Sequence, residues 1–100
     1  MVEDCFIRAC DDCVCIKACA LPGPAACCNV RDIKVRRCVL WNAEPGNALE
    51  IGYELRCNEV SDVVFEDCDI IHCEYEGNQS GGVLTIHNAD RAKVHNVRYE

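Results

Sequence analysis

The sequence lacks any run of about eighteen apolar residues, so it predicts no helix that crosses a membrane. Its first residues, Met1-Val2-Glu3-Asp4, are acidic and precede no apolar stretch of the kind that a secretion signal requires. Positive charge is also scarce, because 10 Lys and Arg stand against 17 Asp and Glu and leave a net charge of −7. Nucleic acids and anionic membranes bind clustered Lys and Arg, and we therefore expect neither as a partner.

Helical periodicity with a capping residue is absent as well, which favours an all-β protein. The residue in excess is cysteine, with 11 in 100 residues. Such a content is typical of disulfide scaffolds, but an odd number leaves at least one thiol without a partner in the chain. Reduced cysteine also behaves as a small apolar residue that fills a core. Composition alone leaves both interpretations open.

An internal repeat spans about thirty residues. Residues 29–38 and 59–68 share the pattern Val-x-Asp-(β-branched)-x-apolar-x-x-Cys, and residues 94–99 begin a third copy with Asn in place of Asp. A second pattern recurs every 35 residues, at residues 13–16, 48–51 and 83–86. Variable segments that contain Gly and Pro separate these short strands. Constant strands joined by variable loops are typical of a solenoid.

We therefore predict a right-handed parallel β-helix that forms one domain over residues 1–100. Its coils lie at about residues 1–28, 29–57, 58–91 and 92–100, and the first and last are partial. Strand alternation predicts two inner columns, with equivalent residues about 4.8 Å apart in successive coils. The first column contains Ile33, Val35, Val63, Phe65, Val97 and Tyr99; the second contains Val14, Ile16, Leu49, Ile51, Leu84 and Ile86.

The repeats also align cysteines. Cys5, Cys38 and Cys68 are predicted to form one internal ladder, which reduced thiols fill as core residues. Cys10 and Cys73 occupy matching places with Ala43 between them. Cys28 and Cys57 each precede an Asn that opens a coil, so they are the best-placed disulfide candidates, with reduced thiols as the open alternative.

Two motifs in order, one coil apart, resemble a known family. The run Asp11-Asp12-Cys13-Val14-Cys15-Ile16-Lys17 is followed by Gly46-Asn47-Ala48-Leu49-Glu50-Ile51-Gly52. Together they resemble glycoside hydrolase family 28, the polygalacturonases and their relatives, which have an Asp-Asp-x-x-x-Ile-Lys strand and then a Gly-His-Gly-x-x-Ile-Gly strand. The resemblance implies a pectin-lyase-like β-helix and inverting hydrolysis of a glycosidic bond, with Asp11 and Asp12 as the acid and base. The alternative for these two residues is a turn in which their carboxylates satisfy backbone donors.

The sequence departs from the family at the site. Asn47 takes the place of the family's His and cannot transfer a proton. The family's third carboxylate lies on a coil before Asp11, and its cationic clamp for polyuronates is missing, so the resemblance implies a neutral glycan. Asn47, Glu50, Glu54 and His87 are candidates for substrate binding on the outer face of the second strand. Trp41 is predicted to cover a hydrophobic edge, with stacking on a sugar ring as the alternative.

Two hypotheses follow. The chain is a fragment of a glycoside-hydrolase-like β-helix whose parent hydrolyses a glycan, while the fragment itself is inactive. Alternatively, it is an engineered or minimised structural solenoid in which cysteines act as staples or core filler. Neither requires a cofactor, and the Cys and His spacing predicts no metal site. Open coil ends predict end-to-end self-association.

Overall fold

The computed structural model describes residues 1–19, 29–74 and 81–100. Within these ranges the chain forms ten β-strands and no helix. The strands are β1 (Val2–Glu3), β2 (Phe6–Ala9), β3 (Val14–Ala18), β4 (Val30–Arg36), β5 (Val39–Asn42), β6 (Leu49–Leu55), β7 (Glu59–Glu66), β8 (Asp69–Cys73), β9 (Leu84–Asn88) and β10 (Lys93–Tyr99). The all-β prediction is confirmed for the described residues.

The ten strands form three parallel sheets. The first sheet has the order β1-β4-β7-β10, the second β2-β5-β8 and the third β3-β6-β9. Each circuit of the chain therefore adds one strand to every sheet, and all neighbours in a sheet run parallel. This is the topology of a parallel β-solenoid, as the repeats predict.

The predicted alignment of the coils is confirmed in the first and third sheets. In the first sheet, Val63 of β7 pairs with both Ile33 and Val97. In the third sheet, Leu49 of β6 pairs with both Val14 and Leu84. The repeats of 30 and 35 residues in the sequence are therefore the strand registers of two different sheets.

The core lies between the three sheets and is best covered in the middle coil. Val35 and Ile51 are fully buried there, and Val63 is fully buried in the following coil. Leu84 and Ile86, predicted to face inward, are 49% and 47% exposed on β9, which is an edge strand of the third sheet among the described residues. Membership of an inner column therefore fixes the direction of a side chain, whereas burial depends on a neighbouring coil.

A single left-handed residue forms each corner between the first and second sheets. Asp4, Arg37 and Asp67 have φ angles of 55°, 51° and 50° at equivalent places in three coils. Asp tolerates this conformation better than most residues, whereas at Arg37 it costs about 1 kcal/mol. The Arg37 guanidinium bridges back to Asp4 at 2.7 Å, which links two corners.

The aspartate of the thirty-residue repeat marks a second left-handed position. Asp32 and Asp62 have φ angles of 59° and 58°, and Asn96 has 52°. The side-chain amide of Asn96 donates a hydrogen bond to Asp62, and the Ser61 hydroxyl donates to the same carboxylate at 2.9 Å. Stacking β4, β7 and β10 therefore requires all three strands to bend at the same place.

Two predictions about cysteines are wrong. Cys5 is exposed and is therefore not a buried member of the ladder, although Cys38 is buried and Cys68 is partly buried. Cys73 aligns with Asn42, and hence with Ala9, where Cys10 was expected. The cause is an extra residue in β8. Leu40 pairs with Ile70 but Trp41 pairs with His72, so the pairing skips Ile71.

Candidate functional site

A cleft of about 290 Å³ lies along the outer face of the third sheet. Its lining includes five of the six predicted catalytic and substrate-binding residues, together with two that were not predicted as site residues. The lining residues are Asp11, Asp12, Lys17, Asn47, Glu50, Tyr53 and Glu54. The sixth candidate, His87, lies beside the cleft, where it contacts Glu50. Residues far apart in the sequence therefore meet because successive coils stack.

Gly46 allows the second coil to lie directly on the Asp11–Asp12 peptide. A Cβ atom at this position would lie 2.1 Å from the carbonyl carbon of Asp11 and 2.3 Å from the amide nitrogen of Asp12. The buried side chain of Asn42 donates a hydrogen bond to the Asp11 carbonyl and so holds the same peptide in place. The first glycine of the Gly-x-x-x-x-x-Gly motif is therefore a requirement of close packing.

Asp12 is bound to the next coil through Asn47. Its Oδ1 accepts the backbone N–H of Asn47 at 2.8 Å and the side-chain Nδ2–H at 3.2 Å. The Oδ1 of Asn47 in turn accepts the backbone N–H of Gly82 at 2.9 Å. At positions 12 and 47, a side-chain oxygen thus accepts the backbone N–H of the residue 35 positions later. The two bonds form a ladder that joins three coils.

Asp11 binds its own turn, because its Oδ1 accepts the backbone N–H of Asp12 at 2.8 Å. Its side chain is exposed. Both candidate catalytic carboxylates thus satisfy backbone donors, which agrees with the turn interpretation of the pair. These bonds leave further acceptor positions on each carboxylate, since an ionised carboxylate accepts about four hydrogen bonds.

Glu50 is the most deeply placed carboxylate of the cleft, at 2% exposure. Its Oε2 accepts hydrogen bonds from the Asn47 amide and from the Thr85 hydroxyl, the latter at 3.2 Å. Its Oε1 lies 3.0 Å from Nδ1 of His87, which donates in the tautomer that carries the proton there. A buried carboxylate is costly without donors, and Glu50 is held by donors from two coils.

The aromatic part of the cleft depends on Gly52. This residue has a φ of +130°, and a Cβ atom on it would lie 2.0 Å from the carbonyl oxygen of His87. The close approach places the Tyr53 ring on the His87 ring, with centroids 4.9 Å apart and planes inclined by 24°. Tyr53 remains 46% exposed, so much of its ring still faces solvent.

Lys17 is the only cation among the described residues that line the cleft. Its Nζ lies 3.0 Å from Oε2 of Glu54. The hydrogen bond from Lys17 lowers the pKa of the Glu54 carboxyl, and the attraction between their charges acts in the same direction. Because this cation is already paired, the carboxylates of Asp11, Asp12 and Glu50 leave the cleft with an excess of negative charge.

Cys15 lies next to the cleft and has no features of a nucleophile. Its thiol donates a hydrogen bond to the carbonyl oxygen of Gly52 at 2.9 Å. Burial raises the pKa of Cys15 far above its ordinary value, and Asp12 raises it further. The thiol is therefore protonated near neutral pH, and protonated thiols are unreactive.

Trp41 lies on the second sheet, away from the cleft. The Arg8 guanidinium lies 4.5 Å from the centre of one ring, and the His72 ring stacks on the tryptophan at 4.7 Å with planes inclined by 15°. Both faces of Trp41 are therefore used within the protein. These contacts are with a guanidinium and an imidazole, so the covering of a hydrophobic edge by Trp41 stays a prediction.

Sequence reasoning missed Tyr53 and Lys17 as cleft residues. Lys17 was noted only as the last residue of the run that begins at Asp11, and alternation places Tyr53 on the inner face with Ile51. The left-handed Gly52 breaks that alternation and turns the ring outward. A glycine directly before an aromatic residue in a strand is the signal that could have identified Tyr53.

The disulfide candidates remain a prediction, because Cys28 lies outside the described residues. Cys57 is buried and directly precedes Asn58, which opens a coil. Eight other cysteines of the described ranges are free thiols: Cys5, Cys10, Cys13, Cys15, Cys19, Cys38, Cys68 and Cys73. The same ranges contain no cluster of three or more His, Cys, Asp or Glu placed to hold a metal ion, and no helix that could cross a membrane.

Comparisons with protein-family models, with curated proteins and with solved structures found no match to this chain. The resemblance to glycoside hydrolase family 28 therefore depends on the two motifs and their spacing alone. The geometry of the cleft is the remaining basis for inferring a function.

Proposed function

We propose that the chain is a right-handed, pectin-lyase-like β-solenoid of the glycoside hydrolase type whose cleft on the third sheet binds a neutral glycan. The observation that carries the proposal is the cleft of about 290 Å³, in which four carboxylates surround the exposed ring of Tyr53. A flat aromatic face beside several hydrogen-bonding groups is well suited to a sugar ring, which has an apolar face and a rim of hydroxyls.

The charge of the cleft supports a neutral ligand over a polyuronate. Lys17 is already paired with Glu54, and no other cation lies among the described lining residues. A uronate carboxylate would face the negative charges of Asp11, Asp12 and Glu50 without a compensating cation, and like charges at an interface are costly. Hydroxyl groups, in contrast, can donate to those same carboxylates.

Hydrolysis places a stricter demand on the cleft than binding does. In the proposed roles, Asp11 and Asp12 supply the acid and the base, which an inverting mechanism holds ~6.5–9.5 Å apart. Asp12 already accepts two hydrogen bonds from Asn47, and Asn47 cannot carry a proton as the family's His does. We therefore expect binding without detectable hydrolysis by residues 1–100.

The hydrolysis part is tested by measuring reducing-sugar release from neutral glycans and from polygalacturonan over a day. The matched control is the Asp11→Asn, Asp12→Asn double variant. Equal, background release from both proteins is expected. Release by the parent sequence that disappears in the double variant would contradict the expectation and make the two carboxylates a working acid–base pair.

The binding part is tested by isothermal titration calorimetry with neutral oligosaccharides. Removing the ring in Tyr53→Ala is expected to weaken binding about tenfold, the effect of losing one aromatic contact. Phe6→Ala is the matched control, because Phe6 is a 65% exposed aromatic residue on a different sheet. If Tyr53→Ala and Phe6→Ala bind as tightly as the parent sequence, the ring is not the sugar platform and the proposal fails.

A second candidate is a purely structural solenoid, and one observation favours it. The bonds from Asp12 to Asn47 and from Asn47 to Gly82 are those that a coil-stacking ladder needs. In that case the polar groups of the cleft exist to satisfy backbone donors. The absence of heat and of affinity for every neutral oligosaccharide in the calorimetry would favour this candidate.

A further inference from the structure

The glycan proposal gives no role to the cysteines at the corners between the first and second sheets. Cys5, Cys38 and Cys68, here called the thiol column, each follow a left-handed corner residue. Each Sγ donates to the carbonyl oxygen two residues earlier, at 3.1, 3.3 and 3.4 Å respectively. Because all three side chains make the same bond, their sulfur atoms stack along the direction in which the coils stack.

The backbone brings neighbouring members of the thiol column within reach of each other. The amide of Val39 donates to the carbonyl of Cys5, and the amide of Asp69 donates to that of Cys38, both at 2.9 Å. Parallel neighbours lie ~4.8 Å apart, inside the Cα separation of ~4.4–6.8 Å that a disulfide requires.

The contact between Cys38 and Cys68 is the better defined of the two. The Cys68 thiol extends into the middle coil, where its Sγ lies 3.9 Å from the carbonyl oxygen of Val35. The Cys38 thiol binds the carbonyl of the next residue, Arg36. Burial raises the pKa of Cys68, and the neighbouring Cys38 thiol contributes to the same shift.

The members of the thiol column differ sharply in accessibility. Cys5 is exposed, whereas Cys38 is only 1% exposed and Cys68 is partly buried. A small disulfide in solution can therefore meet the Cys5 sulfur but not the Cys38 sulfur. Thiol–disulfide exchange proceeds by attack of one sulfur on another, and it needs accessible sulfurs or sulfurs already in contact.

We propose that the thiol column is an oxidative modification site for small disulfides such as oxidised glutathione. The small disulfide reacts first at Cys5, and the final product is a disulfide between Cys38 and Cys68. The Cys5 thiolate attacks oxidised glutathione, forms a mixed disulfide and releases one glutathione. Cys38 then attacks the Cys5 sulfur and releases the second glutathione. Cys68 attacks Cys38, and Cys5 leaves as a thiol. In total, two protein thiols and one oxidised glutathione become one buried protein disulfide and two reduced glutathiones.

Cys10 provides an internal control. It is exposed, as Cys5 is, but the corresponding place in the next coil is occupied by Ala43, whose amide donates a hydrogen bond to the carbonyl oxygen of Ala9 at 2.9 Å. Among the described residues, its mixed disulfide with glutathione therefore meets no thiol at the equivalent place of the next coil. It should persist while the mixed disulfide on Cys5 is consumed.

The test treats the native protein with oxidised glutathione, stops the reaction with acid at intervals, blocks free thiols with N-ethylmaleimide and maps the digest by mass spectrometry. Glutathione on Cys5 should appear first and then decline as the peptide cross-linked through Cys38 and Cys68 accumulates. The Cys5→Ser variant should form that cross-link at least tenfold more slowly, and the Cys10→Ser variant at the original rate. In Cys68→Ala, once its β-sheet circular dichroism is verified, oxidation should stop at a Cys5–Cys38 disulfide.

Persistent glutathione on Cys5 and Cys10 alike, with no cross-linked peptide from the column, would overturn the proposal. Formation of the Cys38–Cys68 cross-link at an unchanged rate in Cys5→Ser would overturn the role of Cys5 as the accessible thiol. The time course of the unsubstituted protein distinguishes a cross-link from persistent glutathione even if a variant fails to fold.

Discussion

The first and third sheets are both built by stacking coils of one chain but use their residues differently. In the first sheet, β4, β7 and β10 repeat one pattern, and charges on the outer face pair between neighbouring coils, as Lys34 does with Glu66 at 3.0 Å. In the third sheet, the apolar columns repeat, whereas the outer face changes from Cys15 to Glu50 to Thr85. The repeated features build the scaffold, and the features that break the repeat build the cleft.

The largest expected effect of a substitution is at Gly52, where the cleft departs furthest from a regular strand. In Gly52→Ala, the φ of +130° and the contact of 2.0 Å with the His87 carbonyl both become unfavourable. Strain and overpacking together are expected to cost about 5 kcal/mol of unfolding free energy, comparable to the whole stability of a small domain. Urea denaturation followed by circular dichroism measures this loss.

Gly82→Ala is the matched control, because a Cβ there would meet its nearest atom, Cγ2 of Thr85, at 3.4 Å. It should change the unfolding free energy by less than about 1 kcal/mol. Similar losses in the two variants would mean that the Gly52 contact does not determine the geometry of the cleft.

The next largest effect concerns the scaffold. Phe65 of β7 is 2% exposed and stacks on Tyr99 of β10 at 5.0 Å. Phe65→Ala should cost about 3–5 kcal/mol, because it opens a cavity between two coils. Tyr99→Ala, in the same column but 39% exposed, should cost about a third as much. Thermal or urea unfolding measures both, and an equal cost would contradict the account of how neighbouring coils bury a column.

A smaller effect is expected at the ladder that joins the cleft to the scaffold. Asp12→Ala removes the acceptor for the backbone N–H of Asn47 and should cost about 1–3 kcal/mol. Asp12→Asn keeps an oxygen at that place, as Asn47 does for Gly82, and should cost less than about 1 kcal/mol. If the asparagine variant unfolds as easily as the alanine variant, the charge of Asp12 matters more than its hydrogen bond.

The smallest effect is electrostatic and concerns the rim of the cleft. Lys17 lowers the pKa of the Glu54 carboxyl, so the pair stabilises the fold at neutral pH and loses this contribution as the pH falls through the lowered pKa. NMR titration of the Glu54 carboxyl should give a higher pKa in Lys17→Met than in the parent sequence. An identical pKa in both proteins would show that the ion pair is not formed in solution. Because the two side chains are 40% and 42% exposed, little change in stability is expected.

The sequence predicted the direction of side chains better than their surroundings. Val14, Leu49 and Leu84 align as expected, because the coil spacing and the strand alternation together fix the register. Register alone could not show that Glu50 would be covered, since its burial depends on Thr85 and His87 of the next coil.

Irregularities were the main source of error. The extra residue in β8 moved Cys73 into line with Asn42, and the left-handed Gly52 turned Tyr53 outward. A single residue shifts every later side chain in a strand to the other face, so counting along a repeat fails at a bulge. The motifs around Asp11 and Asn47 located the cleft because glycines, which allow close contact of coils, are part of the motif itself.

The central functional claim is that a neutral glycan binds in the cleft of the third sheet. The most direct measurement is a titration of ¹⁵N-labelled protein with a neutral oligosaccharide, followed by two-dimensional NMR. We predict saturable shifts of the backbone amides of Asn47, Tyr53 and Glu54, with those of Val35 and Trp41 unchanged. Shifts centred on Trp41, or no shifts at millimolar oligosaccharide, would contradict it.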